Sequence, residues 1–364
     1  MESSIIHVSA HYPPHLGGLE RVVQSLVAYR ISRRMPVEVL TSKHCNEQSD
    51  EAYVHRLKSY EIAHTPIMPA LPIRLLRLSN NSLVHLHVAQ AFVPETVYLA
   101  HAIRRLPYIA HLHVDVGPSG PAGFLLHAYK PLVLARVLRG AQAVVVFTDD
   151  QARVVASKYG VLPGRIAVIP NGVDMAFSME EPRSIHSRPR LLFVGRLSVQ
   201  KNIEMFLHAL EGISGEFDTT LVGDGDLEDG LKNLAQDLRL ENVRFCGRVD
   251  GEDLVEHFRQ ADIFVLPSER EGMPLVLLEA LAMGLPVVAT DIVGTRDVIT
   301  NRESGILVPL NDVDRLRLAL VEIASDETQY FRMSRAARAA AEQYSWDNVG
   351  DEFERLYALV SRML

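Results

Sequence analysis

Cysteine is nearly absent from the 364-residue chain: only Cys45 and Cys246 occur, far apart. Two thiols make neither a disulfide framework nor a cysteine zinc site. Cys246 falls in an apolar strand pattern and reads as core. No apolar run reaches the ~18–20 residues that cross a bilayer. The acidic start Met1-Glu2-Ser3-Ser4 lacks the basic segment of a secretion signal, so the expected location is the cytoplasm. No low-complexity stretch and no short-period repeat occurs. Two phosphate-binding signatures are missing as well. Neither G-x-G-x-x-G nor G-x-x-x-x-G-K-[ST] stands at the first strand-to-helix turn of either half, so neither the dinucleotide-binding nor the nucleoside-triphosphate-binding loop is present there.

What is present is globular material. Hydrophobic residues make up 48% and charged residues 23%, which excludes wholesale disorder. The length suggests two domains, at roughly 100–200 residues each. Charge is unevenly spread. Residues 1–185 carry 18 basic and 14 acidic side chains, a balance of +4; residues 186–364 carry 19 and 31, a balance of −12. So acidic a second half argues against nucleic-acid binding.

Short apolar runs at 5–9, 37–41, 83–88, 108–114 and 144–147 alternate with helical spacing, as in 19–29, where Val22, Val23, Leu26 and Val27 share a side. The proline- and charge-bearing segment 179–189 has no core pattern and reads as a linker. The alternation then restarts with 191–194, 219–222, 243–245, 263–266, 287–289 and 306–308. The pattern predicts an α/β protein with two doubly wound Rossmann-like domains, 1–183 and 184–346, facing across a cleft. An amphipathic C-terminal helix, 347–364, is expected to pack back on the first domain.

Ligands of such folds sit beyond the carboxyl ends of the strands. Arg196 and Lys201 follow strand 191–194. Two cations on one loop can converge on a diphosphate, Arg as a planar fork and Lys as a point charge; the alternative is a solvated surface. Gly223-Asp224-Gly225-Asp226 follows strand 219–222 as a tight turn or a close approach to a ligand. After strand 263–266, Glu271-Gly272-Met273-Pro274-Leu275 leads into a helix. Pro274 suits its first turn, and the free amides there suit an anion. Glu279 lies among Leu277, Leu278, Ala280 and Leu281, where a carboxylate needs a hydrogen-bonding partner such as a ribose. An exposed helix face for Glu279 and an ordinary helix-start charge for Glu271 are the alternatives. A glycosidase is disfavoured, because its two carboxylates flank the scissile bond, whereas Glu279 belongs to the helix body. In the first half, His111, His113 and Asp115 share one strand face. A metal site, a sugar contact and a half-buried histidine are the readings. His85 and His87 form a similar pair, read as structural.

Taken together, these motifs resemble one family. They are Phe193-Val194-Gly195-Arg196 through Lys201-Asn202, Val222-Gly223-Asp224-Gly225, Glu271-Gly272-Met273-Pro274 through Glu279-Ala280, and Gly284-Leu285-Pro286-Val287-Val288-Ala289. Gly17-Gly18-Leu19-Glu20 and Ile169-Pro170-Asn171-Gly172-Val173-Asp174 join them from the first half. Over nearly the whole chain they resemble the retaining GT-B glycosyltransferases of family 4. The two glutamates keep the family's spacing of seven intervening residues. Met273-Pro274 departs from the Phe-Gly of many members and implies a different pocket shape near the sugar.

The resemblance implies a nucleotide-diphosphate sugar, UDP by family frequency, on the C-terminal domain. Arg196 and Lys201 neutralise its pyrophosphate. Glu279 accepts from the ribose. Glu271, Gly272, Met273, Pro274 and Leu275 grip sugar and phosphate, with Gly223 beside them and Val249 near the base. Gly17 and Gly18 let the first domain's backbone approach the phosphate. His113 meets the sugar's hydroxymethyl group near the reacting centre. His15, Asp115 and Ser119 are the acceptor-side candidates. No cofactor or metal is expected, since no Asp-x-Asp stands in a loop suited to a donor-bound divalent ion, and no protein nucleophile is evident. The acceptor expected is a small polar molecule. Arginine outnumbers lysine 31 to 6, an actinobacterial-type usage, which with Asp115 points to an aminocyclitol or aminoglycoside intermediate of antibiotic biosynthesis. The other readings are a lipid or cell-envelope acceptor, with Ile73-Arg74-Leu75-Leu76-Arg77-Leu78 on a membrane, a sugar-nucleotide epimerase of the same architecture, and a non-catalytic nucleotide-sugar-binding module.

Overall fold

The computed structural model describes residues 4–15, 17–43, 51–62, 65–79, 81–113, 130–178 and 184–363. The chain divides into two compact units: Met1–Asn171 with Trp346–Leu364, and Gly172–Ser345. Much of the expected linker, residues 179–183, lies outside the described residues.

The strands of the first unit are β1 (Ser4–Val8), β2 (Val37–Lys43), β3 (Val54–Lys58), β4 (Tyr60–Ile62), β5 (Thr65–Ile67), β6 (Ser82–Val88), β7 (Tyr108–Leu112), β8 (Ala143–Val146) and β9 (Ile166–Val168). Seven of them form one parallel sheet, ordered β3-β2-β1-β6-β7-β8-β9; β4 and β5 make a separate antiparallel ribbon. Central strands are buried on both faces, as their near-continuous apolar runs require. On one face Ile6, Val8, Val84, Leu86, Tyr108 and Val144 join a core with Leu71, Leu75, Val93, Val97 and Leu138. The other face meets the C-terminal helix Trp346–Arg362, whose Phe353 ring lies 5.4 Å from that of His85. This helix also packs on Gly18–Ser32, through Tyr29 donating to Asp351 and an Arg30–Glu354 ion pair. Gly350 permits the approach: a Cβ there would stand 2.5 Å from the Tyr29 ring.

The second unit holds β10 (Arg190–Val194), β11 (Asp218–Val222), β12 (Val243–Phe245), β13 (Ile263–Leu266), β14 (Val287–Thr290) and β15 (Gly305–Val308). They form a parallel sheet ordered β12-β11-β10-β13-β14-β15. Leu192, Phe193, Phe264 and Val288 are buried there beneath Phe206, Leu277, Leu278 and Leu320 of the flanking helices. The strand order reverses between β1 and β6 in the first sheet and between β10 and β13 in the second. Such a reversal opens a crevice at the carboxyl ends, because the helices that follow the two strands depart to opposite faces. Among the described residues no helix is long and apolar enough to cross a membrane.

Candidate active site

In the second unit the loops after β10, β11 and β12 are held as one body by their backbones. Gly195 N donates to Val222 O at 2.9 Å, Leu197 N to Asp224 O at 2.7 Å and Gly223 N to Gly247 O at 2.7 Å. Gly223 has φ of +135°, and a Cβ there would fall 1.9 Å from Gly195 O. The close approach at this glycine is therefore to another backbone within the fold. Gly223→Ala is expected to lower stability by about 1–3 kcal/mol, the range of a forced backbone outlier. Thermal melting checks this; an unchanged melting temperature would show that the loop relaxes freely. Val249, half-buried, sits in the turn that this bonding anchors.

Leu197, 1% exposed, pins the β10 loop while Arg196 points to solvent. Among the described residues Arg196 makes no ion pair. Lys201 closes a single turn, Val199–Lys201, before the helix Ile203–Leu210. Across the strand reversal, the loop after β13 is tied to it. Glu269 N donates to Gln200 O at 2.8 Å, and Gln200 Nε2 donates to Arg270 O at 2.8 Å. Lys201 Nζ then donates to Glu271 Oε1 at 2.6 Å, with the side chains only 15% and 8% exposed. Two charges largely withdrawn from water thus compensate each other at the mouth of the crevice. An entering anion would compete for the lysine. Sequence spacing did not foresee this pairing.

Gly272, Met273 and Pro274 are buried beside it. The helix Leu275–Ala282 starts one residue later than the sequence predicts, with Pro274 as its N-cap, where the missing N–H is equally harmless. Glu279 is 1% exposed on that helix, so it does not lie on an exposed face. A separate cavity of about 410 Å³, lined in part by Arg190, Asp218, Asn242 and His257, lies at the amino ends of the strands, away from these loops.

In the first unit, Gly17 is the extended N-cap of Gly18–Ser32, and His15 Nδ1 lies 2.9 Å from Glu20 Oε1. At Gly18 a Cβ would meet nothing within 4 Å. His113 follows β7, is 7% exposed, and has its Nε2 at 2.9 Å from His87 Nδ1. Burial pushes its pKa down to about 3, which keeps the imidazole neutral near pH 7. Asp115 and Ser119 lie outside the described residues, as does the rest of the expected acceptor loop, 115–121. The structure adds His7, which sequence reading missed. With His85, His87, His111 and His113 it forms two overlapping groups, His7/His85/His87 and His87/His111/His113, whose ring nitrogens lie within 4.8 Å of one another. The signal was available: His-x-His on two adjacent strands and one histidine on β1.

Two parallel-sheet units, each with a strand reversal and polar loops at the carboxyl ends, define the GT-B architecture. The Anabaena protein HepE, solved in complex with UDP, has the same fold: the TM-score is 0.79 at 19% identity, covering 98% of this chain and 100% of that one. Residues 16–177 match the profile of Glycosyltransferase Family 4, and residues 174–340 that of Glycosyl transferases group 1. Phosphatidyl-myo-inositol mannosyltransferase of Mycobacterium leprae is 35% identical over 364 residues, 95% of this chain and 94% of the relative. D-inositol 3-phosphate glycosyltransferase of Corynebacterium urealyticum is 30% identical over 250 residues, 63% of this chain and 59% of the relative. The chain belongs to glycosyltransferase family 4. It is a retaining glycosyltransferase that uses a nucleotide sugar.

Proposed function

We propose that the enzyme moves a hexose or aminohexose from a UDP-sugar to a hydroxyl of a small polar cyclitol, an aminocyclitol intermediate of antibiotic biosynthesis being the narrowest form of this reading. The observation that carries the donor assignment is the Lys201–Glu271 pair across the strand reversal, with exposed Arg196 on the same loop. Donor binding opens that pair. Lys201 turns to the pyrophosphate with Arg196, and Glu271 becomes an acceptor for sugar hydroxyls. The amides of Gly272, Met273 and Leu275 face the anion, beside Pro274. Glu279 accepts from the ribose, Gly223 and Val249 flank the nucleotide, and Gly17 and Gly18 admit the phosphate closely. Neutral His113 meets the hydroxymethyl group. His15, with Asp115 and Ser119, contacts the acceptor. The bond from the anomeric carbon to UDP breaks as the acceptor oxygen bonds to the same face, and a phosphate oxygen takes the hydroxyl proton. Two relatives named for inositol-bearing substrates support a cyclitol ring.

Mass spectrometry after incubation with UDP-sugars and a cyclitol panel tests the reading; no glycosylated cyclitol under any pairing would contradict it. Phosphate charge falls to Arg196, Lys201 and backbone amides, so full activity in excess EDTA is expected. Loss of activity that Mg²⁺ or Mn²⁺ restores would overturn this. His113→Ala should leave UDP affinity near wild type and lower transfer by about 10²-fold, because the contact is to the sugar and strengthens in the transition state. A collapse of UDP affinity instead would displace His113 from this role.

One surface favours a second acceptor reading. Ile73, Leu99 and Ile103 are 54%, 52% and 61% exposed, among Arg74, Arg77, Arg104 and Arg105. An apolar, cationic surface of this kind suits an anionic membrane that carries the acceptor. Co-sedimentation with anionic vesicles separates the two readings.

A further inference from the structure

Five histidines occupy the sheet face that Trp346–Arg362 covers: His7 on β1, His85 and His87 on β6, His111 on β7, and His113 just past it. Register sets His7 against His85 and His87 against His111. All five are 7% exposed or less. They meet in two ways. Along a strand the rings stack, His85 on His87 at 4.3 Å and His111 on His113 at 4.2 Å between centroids. Across strands the nitrogens approach: His7 Nδ1 to His87 Nε2 at 3.0 Å, His87 Nδ1 to His113 Nε2 at 2.9 Å, and His85 Nε2 to His111 Nδ1 at 3.2 Å. The centroids of those three pairs are 5.3, 5.2 and 5.3 Å apart, the span of two rings joined edge to edge. Each such contact is a hydrogen bond with one proton between two nitrogens. A metal would need several lone pairs converging on one point.

We propose that the row His7–His87–His113 is a tautomer lock, with His87 as the positioning residue that holds His113 as its Nδ1–H form. A neutral imidazole offers one donor and one acceptor. Three in a row must therefore all be polarised the same way. The inner end selects the direction. His7 Nε2 is buried with no hydrogen-bond partner among the described residues. One polarity strands an N–H there, the other only a lone pair. Stranded buried N–H groups are the rarer and costlier case. His7 then donates from Nδ1 to His87, and His87 donates from Nδ1 to His113 Nε2. His113 is left with its proton on Nδ1, at the outer end. The row stops at His7, so it orients and does not conduct protons. Its catalytic consequence rests on the proposed role of His113: the sugar meets an N–H donor and not a lone pair.

The test is long-range ¹H–¹⁵N spectroscopy of the full-length, ¹⁵N-histidine-labelled enzyme without substrate. The expected spectrum shows Nδ1–H for His7, His87 and His113. An Nε2–H or averaged signal for His113 overturns the lock, as does a shift of all three rows of signals on adding one equivalent of Zn²⁺. This measurement needs no turnover, so it stands or falls apart from the glycosyl-transfer reading. In His87→Leu, His113 should show mixed tautomers, and kcat should fall about 10- to 100-fold, as when a group that orients a histidine is lost, with the donor KM unchanged. His87→Asn, whose amide reaches the same point, should restore both. A fall in kcat in His87→Leu with His113 still held as Nδ1–H would show a packing role and overturn the proposal.

Discussion

Arg196→Ala and Lys201→Ala are each expected to slow transfer by about 30- to 1000-fold, the loss of roughly 2–4 kcal/mol of transition-state stabilisation. Charge on the leaving UDP is greatest as its bond to the sugar breaks, so a cation aimed there acts most strongly in the transition state. The two variants should differ in stability. Arg196 is exposed and makes no ion pair among the described residues, so its loss should leave melting unchanged. Lys201→Ala strands Glu271, which is 8% exposed, without its 2.6 Å partner. Removing one member of a withdrawn pair destabilises the fold, and this variant should melt below wild type. Lys201→Arg keeps the charge but brings a planar fork to a site fitted for a point charge, and it should also be slow. Rates and melting curves for the three variants check the set. Near-normal rates in both alanine variants would return these residues to a solvated loop.

Acid should loosen the first unit well before general acid unfolding. Burial lowers the pKa of His7 and of His113 to about 3 from 6.5, with the positive charge of Arg30 adding to the effect at His7. His85, His87 and His111 are also pushed well below the ordinary value, by burial first and by their neighbouring imidazoles second. Below pH 6.5 the unfolded chain takes up protons that the native row refuses. More protons are then bound in the unfolded state, and stability falls as pH falls, down to about pH 3 where His7 and His113 protonate in the native state too. From about pH 7.5 to about pH 5.5 each such histidine removes about 1.4 kcal/mol. His7 and His113 alone contribute about 3 kcal/mol. Trp346 is the chain's single tryptophan and belongs to the first unit, so its emission reports that unit's unfolding. Urea midpoints should drop steeply between the two pH values. Equal midpoints would mean that the histidines are protonated or hydrated in the folded protein.

The sequence was most legible where burial leaves a strong pattern. The runs at 191–194, 263–266 and 287–289 are strands in the centre of a parallel sheet, hydrophobic on both faces, and their extents match β10, β13 and β14 closely. β3 and β9 are the edge strands: β3 is hidden by its polar residues His55, Arg56 and Lys58, and β9, apolar as Ile166-Ala167-Val168, by being three residues long and half-exposed. The β4–β5 ribbon is likewise hidden by strands of three residues, with Pro66 inside β5. Strand order, and with it the reversal that brings Lys201 to Glu271, depends on contacts 70 residues apart. Periodicity carries no information about that distance. Gly223 shows a different limit. Its glycine was visible, but only the fold reveals that the pressing neighbour is Gly195 O. The histidine row is not legible in either His-x-His by itself, because a buried histidine is ordinary until the register that sets His7 beside His85 and His87 beside His111 is known.

UDP release and product configuration, followed together, report directly on whether Lys201 holds the leaving UDP during retaining transfer. Wild type and Lys201→Ala are incubated side by side with a panel of nucleotide sugars and cyclitols. UDP should appear from one UDP-hexose in step with a new glycoside that keeps the donor's anomeric configuration, and release should be slower by about 30-fold or more in the variant. Release at equal rates from both proteins, or a glycoside of inverted configuration, would contradict it.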